Sequence, residues 1–525
     1  HLNSKIASNT SAAAATPKRI AVLLSGGVDS SVALTLLAHQ YPSYIIHAYY
    51  LKIWLEDEIS NTMLASPNVK IDECPWEDDY LICQSIVSHL QETIGRKIPL
   101  YSISLQNEYR DSVLQYTLDE SRKGRTPNPD VVCNSRVKFG VFWETVGKEY
   151  DYVASGHYAI LQNEQQLSNN GGDDNVVNNK IKMYRSPDPV KDQSYFLCTL
   201  TQQQLSRTLF PIGHYTKPQI RALAHHYQLP NRSRPDSQGL CFLGKVQFDQ
   251  FLKSYLGTDP GLIRDANTRE VVGKHNGLWF HTVGQRKGLG PYLNPKATAH
   301  GPWYVVAKKC KEKEIWISNK YNNNDSSNED VFDIARKEFV VEDIKWLGGV
   351  IPMDMFQVKE EAVNDHGGGR QQQHKQPRAR WFFGPNTRSS IKRDTNEHQE
   401  QTKKNQRLAG RFAMKIRHGP NIVLGTLSLT LSPQSTAASS LSIKITKGQI
   451  ILDIKDKGLA PGQFVALYQM DNDSDEKNVI TTSAVSNIYA LEQIMDSSKT
   501  TQLTGECVGS GVISDDHWEQ LFLSS

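Results

Sequence analysis

The sequence predicts an α/β protein in which a parallel-sheet domain is followed by a small central domain and a C-terminal β-barrel. In the first 300 residues, short apolar runs alternate with amphipathic stretches, as expected for the strands and helices of a parallel sheet. After about residue 300 the pattern shifts to short β-like runs, which are typical of a small barrel. The length of 525 residues also exceeds one domain of about 150 residues.

The predicted elements follow in chain order. The strands of the parallel sheet are 20–24, 44–54, 98–104 and 151–158, and the strands of the barrel are 303–309, 314–318, 411–419, 424–429 and 462–469. We place the domain boundaries at 1–17 for a disordered segment, 18–232 for the catalytic parallel-sheet domain, 233–298 for the central domain, and 299–525 for the barrel with its low-complexity insertions.

The N-terminal segment has a distinctive composition. No Asp or Glu occurs before Asp29, and Ser and Ala crowd residues 8–15. This pattern resembles the remnant of an organelle transit sequence, although an unstructured tail fits equally well. The sequence therefore predicts a mitochondrial or plastid location, with a cytoplasmic location as the alternative.

Charge and hydropathy restrict the class of protein. With 59 Lys and Arg against 56 Asp and Glu, the net charge is only +3, so any nucleic-acid surface must be local. No run approaches the roughly 18 consecutive apolar residues of a membrane span, so no membrane partner is expected. Four stretches are too polar for a core and are predicted to be surface insertions or disordered loops: 163–180, 322–330, 364–407 and 470–500.

The sharpest local motif is Ser25-Gly26-Gly27-Val28-Asp29-Ser30, which lies between a buried-strand run and a helical stretch. Two glycines allow backbone N–H groups to approach a phosphate, and a helix N-terminus favours negative charge. No Gly-Lys-Ser/Thr follows, so this is not the Walker pattern. The motif resembles the PP-loop of ATP pyrophosphatases, the adenine nucleotide α-hydrolase-like domains that release pyrophosphate while adenylating a substrate.

Two further motifs each contain a cysteine. Gly124-Arg-Thr-Pro-Asn-Pro-Asp-Val-Val-Cys133 is a loop stiffened by two prolines, and Arg234-Pro-Asp-Ser-Gln-Gly-Leu-Cys241 is a polar turn 108 positions after the first cysteine. A persulfide on one cysteine carries nucleophilic sulfur, and a second thiol can release it by forming a disulfide. Two thiols beside an ATP site therefore favour sulfur transfer.

The seven cysteines as a set indicate a reducing compartment. They are odd in number and sparse, and no CxxC pair occurs. No protein-bound metal is therefore predicted.

The three motifs together resemble the tRNA-specific 2-thiouridylase family, whose members thiolate position 2 of the wobble uridine in certain tRNAs. Matching segments run from Arg19 to Ser514. Further matches are Ala154-Ser-Gly-His-Tyr-Ala159, Lys191-Asp-Gln-Ser-Tyr-Phe-Leu197, His275-Asn-Gly-Leu278, Thr282-Val-Gly-Gln-Arg-Lys-Gly-Leu289, Pro302-Trp-Tyr-Val-Val306, Ala460-Pro-Gly-Gln463 and Gly505-Glu-Cys-Val-Gly-Ser-Gly-Val512. The stretches Leu51–Glu58 and Cys74–Asp79 resemble plant and algal organelle forms of the family.

The resemblance implies roles for individual residues. Cys241 would carry the persulfide, Cys133 would attack or resolve it, and Asp130 would be an acid/base carboxylate. The implied ATP-binding residues are Leu23, Leu24, Ser25, Gly26, Gly27, Val28, Asp29, Ser30, Leu51 and Gly156. The implied tRNA-binding residues are Asn128, Pro129, Asp130, His157, Lys191, Asp192, Gln193, Arg417, His418 and Gln463.

The same resemblance implies the cofactors and partners. ATP and Mg²⁺ are the cofactors, since Mg²⁺ shields the phosphates. The tRNA substrates would have anticodons of the Lys, Glu or Gln type. A cysteine desulfurase or a sulfur carrier would be the sulfur donor.

Other functions stay open from the residues alone. A PP-loop ligase that forms an amide or amidine needs adenylation but no thiol, so Cys133 and Cys241 separate the two classes. A non-catalytic tRNA-binding relative would keep the loop for structural reasons only. An iron–sulfur cluster would need three thiolates near the ATP site, where the sequence offers two candidates.

Overall fold

A computed structural model describes most of the chain. The described residues are 16–53, 76–167, 177–236, 248–321, 336–360, 406–431, 447–456, 458–470 and 505–515. Cys241, the N-terminal segment 1–15, residues 322–330 and nearly all of 364–407 and 470–500 lie outside them, so the predictions for these positions stay predictions.

The strands and helices have the following bounds. The strands are β1 Arg19–Leu23, β2 Ile45–Lys52, β3 Leu100–Ser104, β4 Tyr152–Ala154, β5 Ala159–Leu167, β6 Val177–Arg185, β7 Thr208–Leu209, β8 Gly261–Asp265, β9 Val271–His275, β10 Tyr304–Lys309, β11 Glu314–Ser318, β12 Glu338–Trp346, β13 Gln357–Glu360, β14 Gln406–Lys415, β15 Val423–Leu431, β16 Lys447–Leu452, β17 Phe464–Tyr468 and β18 Glu506–Ile513. The α-helices are α1 Val28–Gln40, α2 Trp76–Ile94, α3 Gln106–Tyr109, α4 Gln115–Arg122, α5 Pro129–Val132, α6 Phe142–Thr145, α7 Ser194–Leu197, α8 Gln202–Ser206, α9 Lys217–His226, α10 Phe248–Leu256 and α11 Pro295–Ala299.

The first domain is built on a parallel sheet with strand order β3-β2-β1-β4-β7. The chain runs outward from β1 through β2 to β3 and then returns to the other side of β1 as β4. Such a reversal of strand order leaves a crevice at the carboxyl ends of the two strands, where α/β proteins bind ligands. The loops that follow β1 and β4 therefore share one edge of the sheet.

Both faces of this sheet are covered, which explains the continuous apolar run of β1. Ile20 and Val22 pack against α1 and α2 on one face. Ala21 and Leu23 pack on the other face against the helical region that includes Val113. A strand buried on both sides has no reason to alternate apolar and polar residues.

One of the predicted polar insertions, 163–180, forms strands at its two ends. The ends of 163–180 are not loops, because they belong to β5 and β6, which pair as an antiparallel hairpin. β6 also pairs with β18, so the hairpin joins the first domain to the barrel. A polar segment can form strands when its backbone groups are paired in a ladder, even without an apolar core face.

The central domain has a four-stranded sheet with order β10-β11-β8-β9. The predicted boundary at residues 298/299 falls inside this unit, because β10 and β11 follow the boundary yet pair with β8. The reason is a shared core: Ile263 of β8 packs with Val305 of β10 and Ile317 of β11.

The C-terminal domain is a closed barrel of six strands. Its order is β12-β16-β15-β14-β17-β18, and pairing of β12 with β18 closes the ring. Closure removes the exposed strand edges that an open sheet would present. The predicted fold class is therefore confirmed. Within the described parts of the chain, we find no helix with the length and apolar character needed to span a bilayer.

Candidate active site

The loop Ser25–Ser30 joins β1 to α1 at the carboxyl edge of the parallel sheet. Helix α1 begins behind Gly27, and no side chain caps its first turn. The Ser30 hydroxyl donates to the Gly27 carbonyl at 3.0 Å and accepts the Ser25 backbone N–H at 3.2 Å. The serines brace the loop internally, while the first N–H groups of the helix have no intrahelical acceptor. These amides and the helix dipole form an anion cradle.

Three glycines have different roles around this cradle. Gly26 has φ +74°, and a Cβ there would lie 2.9 Å from the Asp79 carbonyl oxygen. Gly156, after β4, lies against the start of α1, where a Cβ would lie 2.7 Å from the Ser30 nitrogen. At Gly27 a Cβ would meet a serine hydroxyl at 3.4 Å, which is an ordinary contact. Gly26 and Gly156 are therefore needed by the fold, whereas Gly27 leaves space for a ligand.

The predicted ATP-binding residues lie at the end of the sheet. Leu23 ends β1, the Leu24 N–H donates to the Tyr49 carbonyl of β2 at 2.9 Å, and Leu51 lies near the end of β2. Together with the loop and Gly156, the structure brings together Leu23, Leu24, Ser25, Gly26, Gly27, Val28, Asp29, Ser30, Leu51 and Gly156. Their contact with ATP stays a prediction.

The segment 231–236, which we call the strap, holds the loop in place although it lies far from the loop in the chain. The sequence analysis did not identify this role. Asn231 Nδ2 donates to the Gly26 carbonyl at 2.8 Å and to the Ser31 hydroxyl at 2.9 Å. Arg234 donates to the same Gly26 carbonyl at 3.1 Å and forms an ion pair with Asp79. The only signal in the sequence was the polar, basic character of the stretch that precedes Cys241.

An ionic network continues from the loop. Lys217 Nζ lies 2.7 Å from a carboxylate oxygen of Asp29 and 2.7 Å from one of Asp236. Lys191 also pairs with Asp236 at 2.7 Å, and the Tyr158 hydroxyl donates to Asp29 at 2.7 Å. Burial raises the pKa of Asp236, but hydrogen bonds from Lys191 and Lys217 outweigh burial and hold that pKa well below its usual range. The network links α1, α9 and the strap.

The proline-rich loop starts a helix that carries the candidate nucleophile. Asn128 is the N-cap of α5, and its side chain accepts the N–H of Val131 at 3.3 Å, with Pro129 in the first turn. Cys133 follows α5 directly and begins a π-helical segment, Cys133–Val141. Such π-helical turns occur often at functional sites.

Asp130 and Cys133 lie one helical turn apart, on neighbouring positions of the same face. Burial raises the pKa of Asp130, and the nearby Lys138 opposes this effect. A carboxylate with a raised pKa is closer to the range in which it can exchange a proton near neutral pH. Cys133 itself is 3% exposed. Asn128, Pro129, Asp130 and Cys133 therefore lie close together, and their roles stay predictions.

Asp192, one of the predicted tRNA-binding residues, lies inside the protein. Asp192 is 0% exposed and forms an ion pair at 2.7 Å with Lys415, a buried lysine of β14. Its carboxylate also accepts the N–H groups of Ser186 and Ser194. A fully buried carboxylate has no surface for RNA, so Asp192 holds the barrel on the first domain instead.

His157 is also buried rather than placed on an RNA-binding surface. It is 9% exposed, lies between Phe139 and Phe210, and bonds to the Ser155 hydroxyl at 2.8 Å. Burial lowers the pKa of His157 well below 6.5, so the ring is neutral. The predicted tRNA contact is not supported by this position, because a neutral ring inside an aromatic cluster offers RNA little surface.

Arg417 and His418 are the predicted tRNA residues that remain at the surface of the barrel. Arg417 forms an ion pair with Asp456 and keeps 41% of its side chain exposed. His418 is exposed, and its ring stacks on Phe196 with centroids 5.0 Å apart. Their contact with tRNA stays a prediction.

Three further predicted tRNA residues are partly exposed. Lys191 is bound to Asp236, as described above. Gln193 accepts the Tyr158 N–H at 3.0 Å, which ties it to the loop after β4. Gln463 bonds through its backbone N–H to the Ala460 carbonyl at 3.1 Å in the barrel turn. All three lie at the junctions between segments.

Three buried cysteines outside the motifs are poor nucleophiles. Burial raises the pKa of Cys83 and of Cys198 to about 12, and it raises the pKa of Cys507 well above its ordinary value. The predicted disulfide between Cys133 and Cys241 concerns a residue outside the described ranges, so it stays a prediction. Among the described residues, no three His, Cys, Asp or Glu side chains are placed to hold a metal ion.

Two family models match consecutive parts of the chain. The model described as "tRNA methyl transferase HUP domain" matches residues 18–245. The model described as "tRNA methyl transferase PRC-barrel domain" matches residues 249–319. The first contains the parallel sheet, and the second contains the four-stranded sheet of the central domain.

Bacterial proteins are similar to more than half of the chain. The tRNA-specific 2-thiouridylase MnmA of Parabacteroides distasonis is 38% identical over 324 residues, which cover 62% of this chain and 80% of that protein. The protein of the same name from Porphyromonas gingivalis is 37% identical over 326 residues, 62% of this chain and 79% of that protein. The tRNA-specific 2-thiouridylase MnmA 1 of Geobacillus kaustophilus is 39% identical over 307 residues, 58% of this chain and 73% of that protein. The chain belongs to the tRNA-specific 2-thiouridylase family.

Proposed function

We propose that the chain is a tRNA-uridine 2-sulfurtransferase that uses ATP to replace the C2 oxygen of wobble uridine 34 by sulfur. The relatives named 2-thiouridylases support the reaction class. The observation that carries the proposal is that two features lie in the same domain. The first is the N-terminus of α1, which no side chain caps, at the point where the strand order of the sheet reverses. The second is the helical segment that begins at Cys133. The first feature fits a nucleotide, and the second fits sulfur chemistry.

ATP would place its phosphates at the start of α1. The free N–H groups of the first turn face that position, and Gly27 leaves room for the ligand. Mg²⁺ in phosphate sites takes one or two carboxylates together with phosphate oxygens. Asp29 is the carboxylate within the loop itself, and it forms an ion pair with Lys217. When bound, the ion would neutralise the charge on the leaving pyrophosphate.

The chemistry follows from the poor leaving group at C2 of uridine. The O2 atom attacks the α-phosphate of ATP, pyrophosphate leaves, and the proton at N3 is lost as the adenylate forms. The terminal sulfur of a persulfide on Cys241 then attacks C2 and AMP leaves. Cys133 attacks the Cys241 sulfur, releasing the thiolated base and forming a disulfide that an external thiol reduces.

Asp130 is suited to the proton transfers of this sequence. Its raised pKa allows it to accept the N3 proton during adenylation and to return a proton to N3 when Cys133 releases the thiolated base. Asp130 lies one helical turn before Cys133, so one bound uridine can be in reach of both side chains. The wobble base must leave its stack to enter this site, and a single-stranded anticodon loop makes that less costly.

A tRNA-dependent exchange of pyrophosphate into ATP tests the adenylation step, and mass spectrometry of digested tRNA tests the product. We expect Cys133→Ser to keep the exchange but form no 2-thiouridine. Cys310→Ser is the control, because Cys310 is exposed and lies outside the three motifs. Full thiolation by Cys133→Ser, or exchange that does not need tRNA, would contradict the proposal.

A further inference from the structure

The loop that leads to Asp130 and Cys133 starts at a helix end with fixed geometry. Helix α4 ends in a Schellman motif, in which the Gly124 N–H donates to the Ser121 carbonyl and the Arg125 N–H donates to the Glu120 carbonyl, both at 2.9 Å. Gly124 has φ +74°, as the motif requires. Arg125 is therefore held at a defined position directly before the proline-rich loop.

The Arg125 guanidinium connects three segments of the chain. It forms an ion pair with Glu342 of the barrel strand β12 and lies 3.3 Å from Glu120 of α4 and 3.5 Å from Asp515 after β18. It also donates to the Ile513 carbonyl at 3.2 Å. The side chain is only 13% exposed, so its charge-assisted hydrogen bond with Glu342 is partly desolvated.

Backbone contacts reinforce the same junction. The Thr126 N–H donates to the Pro461 carbonyl in the barrel turn at 2.7 Å. The next residue of that turn, Gly462, has φ +88°, and a Cβ there would lie 2.9 Å from the Arg125 Cβ. From the central domain, Lys308 Nζ donates to the Gly124 carbonyl at 2.9 Å. All three domains therefore meet at residues 124–126.

The segment between this junction and the nucleophile is stiff. Pro127 and Pro129 fix their own φ angles and restrict the residues before them. Asn128, between them, caps α5, which leads directly to Cys133. A displacement at Arg125 would therefore be passed along the loop to the reacting side chains rather than absorbed by it.

We propose that Arg125 is a positioning residue that couples the β-barrel to the loop carrying Asp130 and Cys133. The contact between Arg125 and the barrel fixes the positions of Asp130 and Cys133. Breaking this contact therefore lowers the rate of sulfur transfer without weakening tRNA or ATP binding. The inference rests on the proposed function, and Arg125 itself touches no reacting atom.

The test measures single-turnover thiolation at saturating ATP over a range of tRNA concentrations. We expect Arg125→Gln to lower the maximal rate at least tenfold, while the tRNA concentration at half-maximal rate changes less than twofold. Arg125→Lys should recover part of the rate, because it keeps the charge but not the forked geometry. The control is Arg122→Gln, since Arg122 pairs with Asp119 at the surface of the same helix and should have no effect.

Two variants on the barrel side keep the proposal testable if Arg125→Gln is unstable. Glu342→Gln removes the partner charge, and Gly462→Ala inserts a methyl group against Arg125. Both should lower the maximal rate, and Arg125→Gln combined with Glu342→Gln should be no slower than the slower single variant. Gly349→Ala is the matched control for Gly462→Ala, because Gly349 also has positive φ, +77°, but has nothing within 4 Å of an added Cβ.

The outcomes separate the inference from the function on which it rests. If the unmodified protein and Arg122→Gln form no 2-thiouridine, the proposed function fails. If they form it, but Arg125→Gln keeps the maximal rate, the inference is overturned. An effect of Arg125→Gln confined to the tRNA concentration dependence would also overturn it, since Arg125 would then be an RNA contact.

Discussion

Gly156→Ala tests whether the close approach of the β4 loop to α1 shapes the nucleotide site. An added Cβ would lie 2.7 Å from the Ser30 nitrogen and 2.8 Å from the Asp29 carbonyl carbon. These are backbone atoms, which cannot rotate away as a flexible side chain would. The helix start must therefore move by about 0.7 Å to reach the 3.4 Å of an ordinary contact. Overpacking of this kind typically costs about 1–3 kcal/mol.

The expected result is a loss of stability together with a loss of ATP affinity, because the displaced amides are those that would hold the phosphates. We expect the unfolding free energy to fall by about 1–3 kcal/mol and ATP binding, followed by calorimetry, to weaken at least tenfold. Gly27→Ala is the matched control for stability only: Gly27 has φ −73° and ψ 153°, which alanine adopts without strain, and its Cβ would make an ordinary contact, but it would also enter the space left for the phosphates. Unchanged stability and ATP affinity in Gly156→Ala would refute the reasoning.

Three further predictions concern buried titratable side chains. Lys415→Met should lower the unfolding free energy by about 3–5 kcal/mol, because it leaves Asp192 buried without its partner. The control Arg411→Met, which breaks an exposed ion pair, should lower it by less than about 1 kcal/mol. Urea denaturation measures both changes. Burial lowers the pKa of His157 below the ordinary value of 6.5. As the pH falls below 6.5, the unfolded chain binds a proton at this histidine that the folded protein does not, so stability present above pH 6.5 is lost. His157→Phe should therefore lose less stability than the unmodified protein between pH 7 and 5. Burial raises the pKa of Asp130, so the ionised carboxylate opposes folding above that pKa. Asp130→Asn should therefore melt at a higher temperature than the unmodified protein at pH 8 and lose this advantage in acid. The variant should also fail to thiolate tRNA.

The sequence predicted the parts of the site that depend on neighbours along the chain. An apolar strand, a glycine pair and a helical stretch within residues 19–40 specify the strand, loop and anion cradle, and each of these features is present. The proline-rich motif likewise predicted a rigid loop, which the structure shows as the N-terminal cap of the helix that holds Cys133. Local backbone preferences and helix capping are sufficient for these features.

Other parts could not be predicted, because they depend on residues far apart in the chain. The carbonyl of Gly26 is held by Asn231, which is 205 positions away, and no local pattern announces that contact. The outer part of the hairpin, 164–167 paired with 177–180, looked like a polar insertion because its sequence is polar, whereas Ile181 and Met183 at its base are buried in the core. The strands β10 and β11 have the same appearance as barrel strands, and only their shared core with β8 assigns them to the central sheet.

By itself, the sequence predicted candidate residues for the chemistry and determined the local geometry that presents them, because glycine, proline and asparagine act through the backbone and the groups next to them. Only the tertiary structure decided which of these residues are accessible. Asp192 and Lys191 are neighbours in one motif, yet one is fully buried against the barrel and the other lies at the surface junction beside Asp236. The physical reason is that burial and charge pairing depend on the packing of whole domains, which no short stretch of sequence contains.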